Sequence, residues 1–412
     1  MQFFDYLKQR GYVYQATHEK EIQKILNSEK ITFYLGIDPT ADSLHIGHFF
    51  SLMMFRLLQK QGHRGILVIG GATALVGDPT GKSEIRTMME KERVAKNVAE
   101  VKKLVGRFIE TSGDNPALIL DNSEWINQFT YVDFMRSVGA FFNVNKMLAS
   151  EAYSKRLENG GLTFLEMGYM PMQAYDFVYL NRQYDCVLQI GGSDQWGNIV
   201  AGTELSRKMN CHVEGQAQKP LTYGLTCPLL MTKDGKKMGK TEKGALWVAR
   251  DRTTVFDFYQ YFYNTPDTDT SLLLKLFTDM PQNDIESLCE TDILKAKRVM
   301  AYEITALVHG KEEADKVIQT VDSLFYAKNL NTQNMPTAHL SKAECLGKTF
   351  VDIASMCQFF PSKSEAKRMI KQGGFMVNGQ KVLSEDEKYT SDEDTIVLQK
   401  GKKNFLKLIL DD

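Results

Sequence analysis

Short apolar runs alternate with longer periodic segments through the first half of the chain. Residues 31–37, 65–70, 117–120 and 186–190 are compact apolar stretches and read as strands. A helical pattern follows His45 and runs to about residue 61. Strands separated by helices predict an α/β doubly wound parallel sheet with right-handed crossovers. Ligands on such sheets lie beyond the carboxyl ends of the strands. The first, second and fourth strands end in Gly36-Ile-Asp-Pro, Gly70-Gly-Ala-Thr and Gly191-Gly-Ser-Asp-Gln. From about Thr253 the pattern is helical, with helices expected over residues 292–309 and 311–325 and a stop at Gly310. Residues 329–339, rich in Asn, Thr and Pro, read as a linker, and the segment from 345 is short and mixed.

A chain of 412 residues suits two or three domains. The 50 basic and 51 acidic residues exclude a uniformly basic surface, so any nucleic-acid contact must use local patches. The six cysteines never form C-x-x-C, which argues against a zinc cluster or a disulfide framework. The N-terminus has no leader-like apolar run, and no stretch approaches the roughly 20 apolar residues of a membrane span. The expectation is a reduced, cytoplasmic protein without a membrane partner or a resident metal.

His45-Ile-Gly-His48 opens the helix after the first strand, with Asp42 or Ser43 expected as its cap. Residues three apart share a helix face, so both imidazoles can point one way. Gly47 leaves room for a ligand to approach the backbone. At a helix N-terminus this pair can stabilise charge developing on a phosphate. Far downstream, Lys237-Met-Gly-Lys240-Thr makes a basic loop suited to gripping phosphates. Each motif alone has an ordinary explanation: helix histidines, or a solvated charge run. Together, in this order, they resemble the signature pair of class I aminoacyl-tRNA synthetases, with Gly239 and Thr241 in place of the commoner serines. That resemblance implies a Rossmann-like nucleotide-binding sheet, ATP with Mg2+ on its phosphates, and an aminoacyl adenylate. The segment Gly77-Asp-Pro-Thr-Gly-Lys-Ser83 is not a P-loop: it has one residue too few between its glycines. Asp78 suits an ammonium group, while Lys82 and Arg86 can supply positive charge near the transition state or the tRNA end.

Tyr169, Gln173 and Asp176 fall at i, i+4 and i+7 and share one helical face, spanning about 10 Å along the axis. That length matches a tyrosine held at both ends: Tyr169, Gln173 and Asp78 at the ammonium, Asp176 and Tyr34 at the phenol oxygen. A phenylalanine ring would leave the second pair unpartnered. Pro171 either starts or kinks this helix, and Thr163 with Glu166 form a possible earlier capping box. After the fourth strand, Gly192 allows close backbone approach, Asp194 suits a ribose hydroxyl, and Gln195 suits the substrate carboxylate or carbonyl.

These residues together are similar to the bacterial tyrosyl-tRNA synthetase family, across nearly the whole chain. The resemblance implies ATP-binding roles for Gly36, Asp38, Thr40, His45, Gly47 and His48, and a mobile loop carrying Lys237 and Lys240. It implies L-tyrosine, ATP and tRNA(Tyr) as partners and a homodimer, joined through the insertion around residues 125–146. Leu35 departs from the small polar residue that relatives often place against the ribose. The basic segment with Lys363, Lys367, Arg368 and Lys371, followed by Gly373-Gly374 and residues 375–379, resembles an S4 RNA-binding domain. The expected layout is a catalytic domain at 1–225 with an insertion near 110–160 and a lysine-loop linker at 226–250. A helical anticodon-binding domain at 251–330 and the S4-like α+β domain at 345–412 complete it. The rivals are a tryptophanyl-tRNA synthetase and a non-catalytic RNA-binding protein that keeps the fold.

Overall fold

The computed structural model describes the chain except residues 81–87, 159, 211–220, 233–234, 236, 242–243, 326–334, 391–392, 402–403 and 412. The described residues form two compact units, the first comprising 1–249 and 271–282, the second 250–270 and 283–412.

In the first unit six strands make one sheet: β1 (Gln15–Ala16), β2 (Thr32–Ile37), β3 (Arg64–Ile69), β4 (Leu118–Asp121), β5 (Cys186–Gly192) and β6 (Tyr223–Cys227). Their order is β1-β6-β5-β2-β3-β4. All neighbours are parallel except β1, which runs antiparallel along the edge of β6. β3 and β5 are almost wholly buried, as strands covered on both faces must be, which is why they read as unbroken apolar runs. The apolar pattern of the sequence does not reveal β1 and β6. The first has two residues, and the second is interrupted by Gly224, where a Cβ would collide with Ile199 Cγ2 at 2.3 Å. Residues 271–282, expected in a separate helical domain, belong to this unit: Arg10 donates to the carbonyls of Met280 and Thr278.

The strand order reverses between β2 and β5, from which β3 and β4 extend one way and β6 the other. A crevice is expected at the carboxyl ends of those two strands.

In the second unit, the helix Ile293–His309 starts at Asp292, whose carboxylate accepts from Lys295 N, and stops at Gly310 with φ 95°. Lys311–Phe325 follows. The C-terminal part is a five-stranded sheet with helices Phe350–Met356 and Lys363–Lys371 packed on an apolar core. Asn378 and Gly379, both at positive φ, form the turn between strands Phe375–Val377 and Gln380–Lys381. The expected linker is corrected at its end: Thr337–Ser341 is a strand, parallel to Asn404–Asp411. This sheet therefore begins upstream of 345. Residues 326–334 lie outside the described part.

Candidate active site

A cleft of about 620 Å³ opens at the carboxyl ends of β2 and β5. Tyr34, Gly36, Asp38, Thr40, His45, Gly47 and His48 line it from the β2 side. Asp78, Tyr169, Gln173, Asp176, Gly192, Asp194, Gln195 and Lys237 line it elsewhere. Lys82 and Arg86 lie outside the described residues. Lys240 opens the two-residue strand Lys240–Thr241, which pairs with Gly244–Ala245. Leu35 is buried in the cleft wall.

His45 and His48 stack with ring centroids 3.7 Å apart. The expected cap is corrected: neither Asp42 nor Ser43 caps the helix Ile46–Lys60. His45 does so itself, its Nδ1 accepting from Gly47 N at 3.1 Å and His48 N at 3.3 Å. Ser43 is too far upstream and its hydroxyl instead accepts from Ala249 N. With Nδ1 an acceptor, Nε2 carries the ring proton. Gly47 has a second reason to lack a side chain, since a Cβ there would lie 3.0 Å from the His45 ring.

The lysine loop is tied to this corner. Ile46 N donates to Leu246 O, Val248 N to Leu44 O, and Leu246 N to Gly239 O. Desolvation raises the Asp194 carboxyl, and the nearby Lys237 ammonium opposes that shift.

The helix Tyr169–Tyr184 begins at Tyr169, with Pro171 in its first turn, where a missing N–H leaves no intrahelical bond unmade. The Thr163–Glu166 capping box belongs to a separate short helix, Phe164–Met167. Tyr169 Oη donates to Asp38 Oδ2 at 2.9 Å, leaving its oxygen free to accept. Gln173 Oε1 is buried and has no partner among the described residues. Asp78 is also buried, its Oδ1 accepting from Thr80 N. This end of the cleft therefore gathers acceptor oxygens of Tyr169, Gln173 and Asp78, which suits an ammonium.

At the other end Asp176 is 4% exposed and the Tyr34 hydroxyl is buried without a partner among the described residues. Burial pushes the Asp176 carboxyl up to about 7, although hydrogen bonds from Asn122 and Trp125 pull it down. Burial and the charge of Asp176 hold the Tyr34 phenol well above its ordinary value, so it stays a donor. A hydroxyl entering here finds one donor and one acceptor.

Sequence reasoning missed three contributors. Trp125 Nε1 donates to Asp176 Oδ1 at 2.8 Å, and Asn122 Nδ2 to Asp176 Oδ2 at 3.1 Å. Asn122 also donates to Thr73 Oγ1, which donates to Asp38 Oδ1 at 2.8 Å. Trp125, expected in a subunit-joining insertion, is 2% exposed and is held inside this unit by its bond to Asp176. Asn122 and Trp125 follow β4 directly, and that place just past a strand end is their one signal in the sequence.

The family described as tRNA synthetases class I (W and Y) matches residues 26–326. The tyrosine--tRNA ligase of Clostridium tetani (strain Massachusetts / E88) is 45% identical over 414 residues, covering 99% of each chain. The chain belongs to the tyrosyl-tRNA synthetase family. Residues 328–408 match the tyrosine--tRNA ligase SYY-like C-terminal domain. A C-terminally truncated mitochondrial tyrosyl-tRNA synthetase of Aspergillus nidulans superposes with a TM-score of 0.69 at 30% identity, covering 79% of this chain and 94% of its own. A tryptophanyl-tRNA synthetase from Encephalitozoon cuniculi shares the fold at 15% identity and a TM-score of 0.53, covering 76% of this chain and 87% of its own. The fold is thus common to both amino acids, and the full-length identity places this synthetase on the tyrosine side.

Proposed function

We infer that the chain activates L-tyrosine with ATP, giving tyrosyl adenylate and pyrophosphate, and transfers the tyrosyl group to the terminal ribose of tRNA(Tyr). The observation that carries this is the Tyr34–Asp176 end of the cleft: a buried, unpartnered phenol beside a buried carboxylate. The substrate phenol donates to Asp176 and accepts from Tyr34. Its ammonium sits among Asp78, Tyr169 and Gln173, and Gln195 meets its carboxylate.

In the first step a tyrosine carboxylate oxygen bonds to the α-phosphorus as the bond to the β-phosphate oxygen breaks. His45 and His48, at a helix N-terminus, face the accumulating charge, and Lys237 and Lys240 hold the departing pyrophosphate, with Asp38, Thr40 and the glycines shaping the nucleotide site. Lys82 and Arg86 are proposed to add positive charge there or at the tRNA end. Asp194 takes a ribose hydroxyl. In the second step the ribose hydroxyl of tRNA attacks the activated carbonyl and AMP leaves. Positioning and charge supply the rate. Mg2+ arrives on the ATP phosphates. Among the described residues, no group of three or more His, Cys, Asp or Glu is arranged to hold one.

The basic helix Lys363–Lys371 is proposed to contact tRNA phosphates, which give affinity without sequence information. Helix Tyr131–Ser137 buries none of its residues and exposes Tyr131, Val132 and Met135, which suits a second copy of the chain. No helix among the described residues is long and apolar enough to cross a membrane, and a cytoplasmic location is proposed. The rival non-catalytic reading lacks support from a cleft that holds both signature motifs.

The test is tyrosine-dependent exchange of pyrophosphate into ATP, in wild type and in Tyr34→Phe. Exchange with tyrosine, and a Tyr34→Phe variant whose preference for tyrosine over phenylalanine drops roughly tenfold, is expected from one lost hydrogen bond. Exchange with tryptophan, or none at all, would refute the reading.

A further inference from the structure

Asn198 lies on the buried face of the helix Trp196–Asn210, with Ile199, Gly202 and Leu205. A buried amide on such a face costs free energy unless it is hydrogen-bonded. It is 1% exposed, and its Oδ1 has no partner among the described residues. Its Nδ2 donates to Gln195 Oε1 at 3.1 Å. Gln195 in turn donates through Nε2 to Asp78 Oδ2 at 2.7 Å.

This chain of bonds has a direction. Asp78 Oδ2 accepts here, so it faces the NH2 end of Gln195. That turns the Gln195 carbonyl toward Asn198, which must then present its own NH2. Gln195 lines the cleft, and its NH2 carries a second hydrogen for the substrate carboxylate proposed above.

We propose that Asn198 is a positioning residue for tyrosine activation: by holding the Gln195 oxygen it keeps the Gln195 NH2 turned toward Asp78 and the substrate carboxylate. The proposal rests on the reading of Gln195 given above. Asn198 itself touches no substrate. Replacing it with aspartate presents a second acceptor, so the Gln195 amide can no longer give its NH2 to Asp78 and keep its oxygen bonded, and it loses its fixed orientation toward the substrate carboxylate.

The experiment is a double-mutant cycle on the intact enzyme, reading the KM for tyrosine in pyrophosphate exchange. Asn198→Asp is expected to raise that KM roughly tenfold, the scale of a hydrogen bond to a charged group. Asn198→Ala, which frees Gln195 without presenting a second acceptor, should raise it less and guards against a misfolded aspartate variant. In a Gln195→Ala background both substitutions should add nothing. Effects of Asn198 and Gln195 substitutions that multiply would overturn the proposal, because Asn198 would then act through packing. A KM unchanged in Gln195→Ala alone would instead refute the role of Gln195, and the proposal with it.

Discussion

Gly239 packs against Ile46 so closely that a Cβ there would stand 2.4 Å from Ile46 Cγ2. Its φ is 85°, a conformation that side-chain-bearing residues rarely adopt. The middle of the lysine motif thus rests on the middle of the histidine motif, and this explains a glycine where relatives commonly carry serine.

Gly239→Ser should therefore move the loop and not merely decorate it. The expected result is pyrophosphate exchange slowed about 10- to 100-fold, the scale of a catalytic group displaced by about 1 Å. The KM for tyrosine should stay unchanged, because the tyrosine pocket is not in contact with this residue. Equal rates for variant and wild type would show that the contact has no functional weight.

His45 does two jobs that substitution can separate. His45→Ala removes the cap and should cost about 1 kcal/mol of stability by denaturant unfolding. His45→Asn keeps a capping oxygen and should recover most of that stability while leaving kcat depressed. If asparagine restored the rate as well, the imidazole would have no role beyond the helix end.

The Asp176 carboxyl holds its proton to about 7 in the folded protein, against an ordinary 3.8 in the unfolded chain. Folding thus favours the protonated form. That contribution is complete below 3.8 and disappears as pH rises through about 7. The melting temperature of wild type without ligand, relative to Asp176→Asn, should fall between about pH 4 and about pH 7. Trp125→Phe removes a bond that favours the charged form and should push the fall to higher pH. A flat difference would mean that Asp176 is ionised throughout.

Truncation after Phe325 should spare pyrophosphate exchange and abolish tRNA charging. A cut at 345 retains Thr337–Ser341 without its partner Asn404–Asp411, leaving unpaired strand edges that promote aggregation. Size-exclusion profiles of the two truncations would separate these outcomes, and loss of exchange in the shorter one would contradict catalysis independent of the C-terminal sheet.

The stripe of Tyr169, Gln173 and Asp176 along the cleft was legible because the three obey helical spacing, and periodicity survives in sequence. The strands β2, β3, β4 and β5 were legible for the same kind of reason, being short apolar runs. Thr73, Asn122 and Trp125 were not. Thr73 and Trp125 sit on four-residue helices with no period to detect, Asn122 directly precedes one of them, and their importance lies in what the fold sets beside them. The His45 cap was invisible for a further reason: histidine is not among the usual capping residues, and only the ring's geometry reveals the bond.

Because β2 pairs directly with β5, the two walls of the cleft come from segments separated by well over a hundred positions. A growing polypeptide on the ribosome cannot recognise its amino acid until the stretch ending in Gln195 has emerged. Until then the β2 edge must wait unpaired or be shielded, so this protein's own birth has a vulnerable interval that neither substrate can shorten.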